Sequence, residues 1–279
     1  MIRRIGALVA ALTVLSGSAV AQALPAVNME AVLKAAQIDP RRADSAVTPG
    51  SGDSVLAVEQ ALTDEGLLAA EYVDGHFGTK TVEAYAAFQR AQGSSGLDAS
   101  GFPGRASLLK LGEQRFSVTR TLVPGAKVTY RGALMNARTK AMLVAAEGRM
   151  GHALVVTQGS YNPGGDPTSA GTHDGGGVLD ISVSGVTPVN VVRELRTVGF
   201  AAWYRTPAQG DWEAHIHAVA LADPDLSPPA QHQGGDYYLG RNGLANRGPD
   251  DGPPVTPKRT WEEYRRVTAG SLPGVSAEQ

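Results

Sequence analysis

Apolar side chains recur three or four positions apart at Val55, Val58 and Leu62, and again at Val82, Tyr85 and Phe88. That spacing lines one face of an α-helix, so two helices are predicted here, with a third short one over residues 104–111. Beyond Thr119 the pattern changes. Residues 136–148 read as a helix carrying Ala, Met and Leu, 153–157 and 178–183 as strands, and 187–197 as a helix with Val191, Val192 and Leu195 inward; 200–205 and 215–221 read as further strands. Helices and strands without regular alternation predict an α+β fold on a mostly antiparallel sheet.

The stretches between these patterns set the expected boundaries. Residues 24–52 mix small, polar and Pro/Gly residues, including Asp39-Pro40 and Pro49-Gly50-Ser51-Gly52, without sustained period, and predict a linker. A helical domain is expected over 53–114 and an α+β domain over 119–226, followed by a Gly/Pro-rich C-terminal extension over 227–279 with a short helix near 261–267. Residues 1–23 read as a secretory signal peptide: Arg3 and Arg4 precede an apolar run over 5–15, and Ala19-Val20-Ala21 and Ala21-Gln22-Ala23 both fit a small-x-small cleavage site. The run is shorter than the ~20 residues that span a bilayer, so no membrane anchor is expected in the mature protein, which is expected to be secreted or periplasmic.

Composition narrows the chemistry. At 42% hydrophobic and 19% charged, the 279 residues are an ordinary globular chain with room for two domains. A formal charge of -2 offers no field for nucleic acid. With no cysteine in the chain, disulfides, thiolate catalysis and sulfur-bound metals are excluded, so any metal must be held by His and carboxylates.

The residues that answer this description cluster late in the chain. His215 and His217 stand two apart within a predicted strand, so both imidazoles project from one face. Upstream, His173 precedes the Asp174-Gly175-Gly176-Gly177 loop, which lets it fold back over the strand carrying Asp180. Nitrogen and oxygen ligands without thiolate suit zinc at a catalytic site, where bound water has its pKa lowered to roughly 7; the reaction class that follows is hydrolysis. His76, His152 and His232 stand alone and are read as ordinary side chains.

Two resemblances attach to these residues. Val58-Glu59-Gln60-Ala61-Leu62, Gly66-Leu67, the Asp74-Gly75-His76-Phe77-Gly78 turn with Thr81, and Phe88-Gln89 resemble the three-helix peptidoglycan-binding domain of cell-wall hydrolases, which implies peptidoglycan as a partner and attachment to the cell wall. Ser169-x-x-Thr172-His173-x-x-Gly176-x-x-x-Asp180 followed by His215-x-His217 resembles the zinc D-alanyl-D-alanine carboxypeptidase family and its wider group, which includes lysostaphin-type endopeptidases and the hedgehog signalling domain. The resemblance covers residues 125–222. It implies His173, Asp180 and His217 as zinc ligands and His215 as acid/base or transition-state stabiliser. Some branches place a Glu three residues before the last ligand; here Ala214 holds that position, and Glu213, four before, is a second catalytic candidate because it would share the His pair's face on a regular strand, with Asp211 a weaker one.

The chain departs from the family at one point. Its carboxypeptidases carry an Arg before the first zinc motif, suited to bidentate capture of a terminal carboxylate, whereas this chain has Gln158-Gly159-Ser160-Tyr161-Asn162. Arg131, Arg138 or Arg205 is then the expected substitute, or the substrate lacks that carboxylate; Gln158, Ser160 and Tyr161 are candidate substrate-binding residues. The expected activity is hydrolysis of peptide bonds in peptidoglycan as a D,D-carboxypeptidase or endopeptidase. The alternative is a non-catalytic wall-binding protein with a structural or vestigial zinc site, in which His215 would be a fourth ligand.

Overall fold

The computed structural model describes residues 23–270, so the expected signal peptide lies outside the described residues except for its last position. The chain is of mixed α and β composition. The described residues open with strand β1 (Ala26–Asn28) and helix α1 (Met29–Ile38), then α2 (Gly52–Asp64), α3 (Thr79–Ala91), α4 (Arg105–Gly112) and strand β2 (Ser117–Thr119). A hairpin of β3 (Lys127–Tyr130) and β4 (Ala133–Asn136) leads into α5 (Ala137–Met150), β5 (Val156–Gln158), β6 (Val178–Ser182), α6 (Pro188–Thr197), β7 (Phe200–Arg205) and β8 (His215–Ala220). Helices α7 (Pro228–Tyr238) and α8 (Trp261–Gly270) follow. Among the described residues no helix is long and apolar enough to cross a membrane.

The expected linker over 24–52 is instead part of a core. Met29, Val32, Leu33 and Ala36 form a helical stripe, and they pack with Val55, Val58, Leu62, Phe77, Tyr85, Phe88, Leu108 and Leu111. Asn28 caps α1 by accepting the Ala31 N–H at 3.3 Å. The stripe is hard to read because alanines fill it: Ala35 and Ala36 are buried yet carry little hydrophobic signal. Parallel pairing of β1 with β2 then closes the N-terminal helical unit on itself.

The second unit is built on a four-stranded sheet of order β5-β6-β8-β7, antiparallel throughout. One face packs against α5 and α6 through Leu179, Ile181, Ile216, Ala218, Met142, Leu143, Val192 and Leu195. The other carries Val178, Val219, Ala201 and Trp203 and is covered in part by α7 through Ala230 and Tyr237. Register places Asp180 opposite His217, and His217 opposite Trp203; the next rung pairs Ser182 with His215 and His215 with Arg205. Residues paired across strands share a face, so the polar constellation sits on the α7 side of the sheet, centred on its two inner strands β6 and β8.

The C-terminal extension is therefore also more than a tail. Its prolines, Pro228 and Pro229, start α7, where a missing N–H costs nothing. Gly235 lets α7 press on α1: a Cβ there would lie 2.0 Å from the Gln37 carbonyl oxygen. The contact is held by Arg41, whose guanidinium donates to both Asp236 carboxylate oxygens at 3.1 and 2.9 Å. Gln37 Oε1 accepts the Ala222 N–H at 2.9 Å, so α1 ties the two units together.

Candidate metal centre

Asp180 and His217 come together because their strands pair in register, and the long loop of residues 159–177 between β5 and β6 brings in His173. The segment 158–162 fixes that loop. Gly159 O faces His173 Nδ1 at 2.9 Å, Asn162 N–H donates to His173 O at 2.9 Å, and Tyr161 N–H donates to Gly175 O at 2.7 Å. On the far side Gly176 N–H donates to Asp225 O at 2.7 Å. Gly175 permits this approach, since a Cβ there would stand 2.2 Å from the Asp225 carbonyl oxygen.

The three ligand-capable groups lie with one donor atom each within 4.8 Å of one another, the one such group of His and carboxylates among the described residues. His217 Nδ1 is 2.8 Å from Asp180 Oδ1, and His173 Nε2 is 3.2 Å from Asp180 Oδ2. The His173 contact is out of hydrogen-bonding alignment, so its Nε2 is buried without a hydrogen-bond partner. The outer nitrogens are spoken for. Gly159 O can only accept, so His173 carries its proton on Nδ1; His217 Nε2 faces Gln233 Oε1 at 2.9 Å. Hydrogen bonding on the outer nitrogen orients a ligating imidazole and fixes its tautomer.

Asp180 is held in its charged form. Burial by itself would raise the Asp180 carboxyl, but the imidazoles of His173 and His217 outweigh it and hold it well below the usual carboxylate range. Burial lowers His217, against the pull of Asp180. A carboxylate facing two imidazole nitrogens, one of them orphaned, is a donor set of the right type for zinc: two nitrogens and an oxygen. The residues present fit that ion.

His215 stands beside this group rather than in it. Its Nδ1 is 2.7 Å from the Glu213 carbonyl oxygen, which directs Nε2 toward Asp180 Oδ1 at 3.7 Å. Trp212 packs edge-on against the ring at 6.3 Å. With 18% of its side chain exposed, His215 is the histidine of this cluster that a substrate can reach most readily.

Several expected roles are redrawn. β8 begins at His215, so Glu213 precedes the strand, its side chain exposed, and reaches the site only through its backbone carbonyl. Asp211 is likewise exposed. Ser160 is buried, donating to Val178 O at 2.7 Å and accepting Val178 N–H at 3.1 Å, which commits the hydroxyl to holding the loop on β6. Tyr161 donates its hydroxyl to Asp225 and has Lys127 Nζ 4.0 Å from its ring centre; it too clamps the loop. Gln158, opposite Asp180 in register, keeps a buried Nε2 without a partner.

The three arginines also separate. Arg131 pairs with Glu147 at 2.5 Å. Arg138 is bidentate on Glu262 at 2.9 and 2.8 Å and donates to Leu221 O. Arg205, on the site face and 3% exposed, pairs with no carboxylate among the described residues; one N–H meets Asn242 O at 2.9 Å and its Nη1 has no partner. Burial lowers its pKa to about 10.

No family model matches the chain, and neither a curated protein nor a solved structure does. What the site can do is carried by its own chemistry. Sequence reasoning missed Gln233 and the Gly159 carbonyl, the two groups that orient the histidines. Backbone carbonyls have no sequence signal, and Gln233 sits between helix-weakening residues in a segment read as loop.

Proposed function

We propose that the protein is a secreted zinc peptidase acting on the peptide part of peptidoglycan, with the N-terminal helical unit serving as a wall-binding module. The observation that carries the reading is the buried His173–Asp180–His217 group with its outer nitrogens hydrogen-bonded and one inner nitrogen unpartnered. His173 Nε2, an Asp180 oxygen and His217 Nδ1 would hold the ion. Bound zinc supplies Lewis acidity at this point.

The chain's own residues do the rest. His215 presents Nε2 beside the group with Nδ1–H tied to the Glu213 carbonyl. It takes a proton from the attacking water and returns one to the leaving amine, a contribution of typically 10²–10⁴-fold. Trp212 packs edge-on beside that ring. His215 lies outside the three-residue group, which favours the catalytic reading over a closed four-ligand structural site. The wall module raises local substrate concentration by tethering.

Bond specificity turns on Arg205. Release of one terminal D-Ala calls for a cation at the substrate carboxylate, and of Arg131, Arg138 and Arg205 it is Arg205 that pairs with no carboxylate among the described residues. Cross-link cleavage makes no such demand. Incubation of the purified zinc-loaded protein with defined muropeptides, read by mass, tests the whole reading: loss of one D-Ala or cleavage of a cross-link supports it, and intact substrate with zinc bound at full stoichiometry overturns the enzymatic role.

A further inference from the structure

Gln233 reaches the site from α7, outside the segment that carries the histidines and Asp180. Its Oε1 lies 2.9 Å from His217 Nε2, and its own Nε2 donates to Gly243 O at 3.2 Å. The second contact decides the orientation of the amide. A flipped Gln233 would set its oxygen against the Gly243 carbonyl, two acceptors face to face, so Gly243 fixes Oε1 toward the histidine. An amide oxygen can only accept, so His217 must carry a proton on Nε2 and turn Nδ1 inward. Whether a proton or a cation occupies the space between Nδ1 and Asp180, Nε2–H stays on Gln233.

The Asn242–Gly243 backbone is itself held from the sheet, because Arg205 donates to Asn242 O at 2.9 Å. On the other side α7 is docked against α1. A Cβ at Gly234, the next residue, would stand 2.5 Å from Gln37 Nε2, and Asp236 is clamped by Arg41. Gln233 is thus positioned by both units of the chain.

We infer that Gln233 is a positioning residue for the metal centre: its side-chain oxygen selects the Nε2–H tautomer of His217 and so presents Nδ1 to a zinc-type divalent cation. The inference rests on the zinc reading above. It also implies that the docking of α1 on α7 supports metal affinity, although α1 contributes no ligand.

The test compares zinc affinity, by chelator competition, in the full chain and in Gln233→Leu and Gln233→Glu. Gln233→Leu removes the acceptor and is expected to weaken zinc by about 10–100-fold, the usual effect of losing such a partner. Gln233→Glu keeps an acceptor toward His217 while losing the donor toward Gly243, and is expected to stay within about five-fold of the parent. Nitrogen-15 spectra of the histidine side chains supply a readout independent of zinc. The metal-free parent should show a slowly exchanging Nε2–H on His217, retained in Gln233→Glu and lost in Gln233→Leu. Equal weakening in both variants, or a folded Gln233→Leu that binds zinc like the parent, overturns the inference. So does a parent His217 without Nε2–H, which decides the matter even if Gln233→Leu fails to fold. A parent that binds no zinc but keeps Nε2–H on His217 would instead overturn the metal reading and leave the tautomer assignment standing.

Discussion

Each unit of this protein encloses a carboxylate, and the two are satisfied in opposite ways. In the helical unit Glu59 is fully buried and saturated with donors: the Asp74 and Gly75 N–H groups at 3.0 and 2.8 Å and the Thr81 hydroxyl at 2.9 Å. In the sheet unit Asp180 faces imidazole nitrogens whose outer positions are already committed. A carboxylate ringed by donors builds a turn. One ringed by nitrogens with lone pairs to offer builds a cation site, because bringing those groups together is unfavourable unless a positive charge lies between them.

The sharpest way to break this comparison is to remove a ligand. His173→Ala or His217→Ala is expected to reduce zinc to background after dialysis and to abolish muropeptide hydrolysis, while the helical unit still binds isolated cell wall; metal analysis and a pull-down check both. His215→Ala should keep zinc at parental stoichiometry and lose about 10²–10⁴-fold in turnover. Loss of zinc in that variant would make His215 a ligand and favour the structural-site reading.

Smaller effects probe the structural carboxylate and the loop. Glu59→Ala strands two backbone N–H groups and a hydroxyl, and should cost about 3 kcal/mol of stability by denaturant unfolding, with zinc per folded molecule unchanged. Ser160→Ala removes both contacts with Val178 and should cost about 1–2 kcal/mol, with hydrolysis largely preserved. A large loss of activity at parental stability would return Ser160 to the substrate.

A last test is one of pH. Burial pushes Glu59 up from 4.5 to about 7, against the hydrogen bonds it accepts. The folded state then holds the proton more tightly than the unfolded chain does. Its proton-linked stability is complete below about 4.5 and is lost as pH rises through about 7. Relative to Glu59→Gln, the parent should lose stability over that window; a parallel pair of pH profiles would contradict the assignment.

Much of this was legible in the residues themselves. The helices around Val55–Leu62 and Val82–Phe88, the strand bounds at 200–205, and the grouping of His173, Asp180 and His217 all follow from short-range period and from residue type. The misses have particular causes. Residues 24–52 and 227–238 were hidden because small residues and glycines pack closely without a strong apolar signal, as at Ala35, Ala36 and Gly235. Glu213 was expected on the histidines' face, but period 2 applies only inside a strand, and β8 starts two residues later.

By itself, then, the sequence determined the chemistry on offer: no sulfur ligand, two imidazoles on one strand face, and a loop able to return a third to an aspartate. Only the tertiary structure decided how each group is used. It commits Ser160 to Val178 and Tyr161 to Asp225, occupies Arg131 and Arg138 with carboxylates while leaving Arg205 without one, and brings Gln233 to His217. The physical reason is range. Side-chain periodicity is a property of neighbouring residues, whereas the partner of a buried polar group is chosen by where distant segments cross.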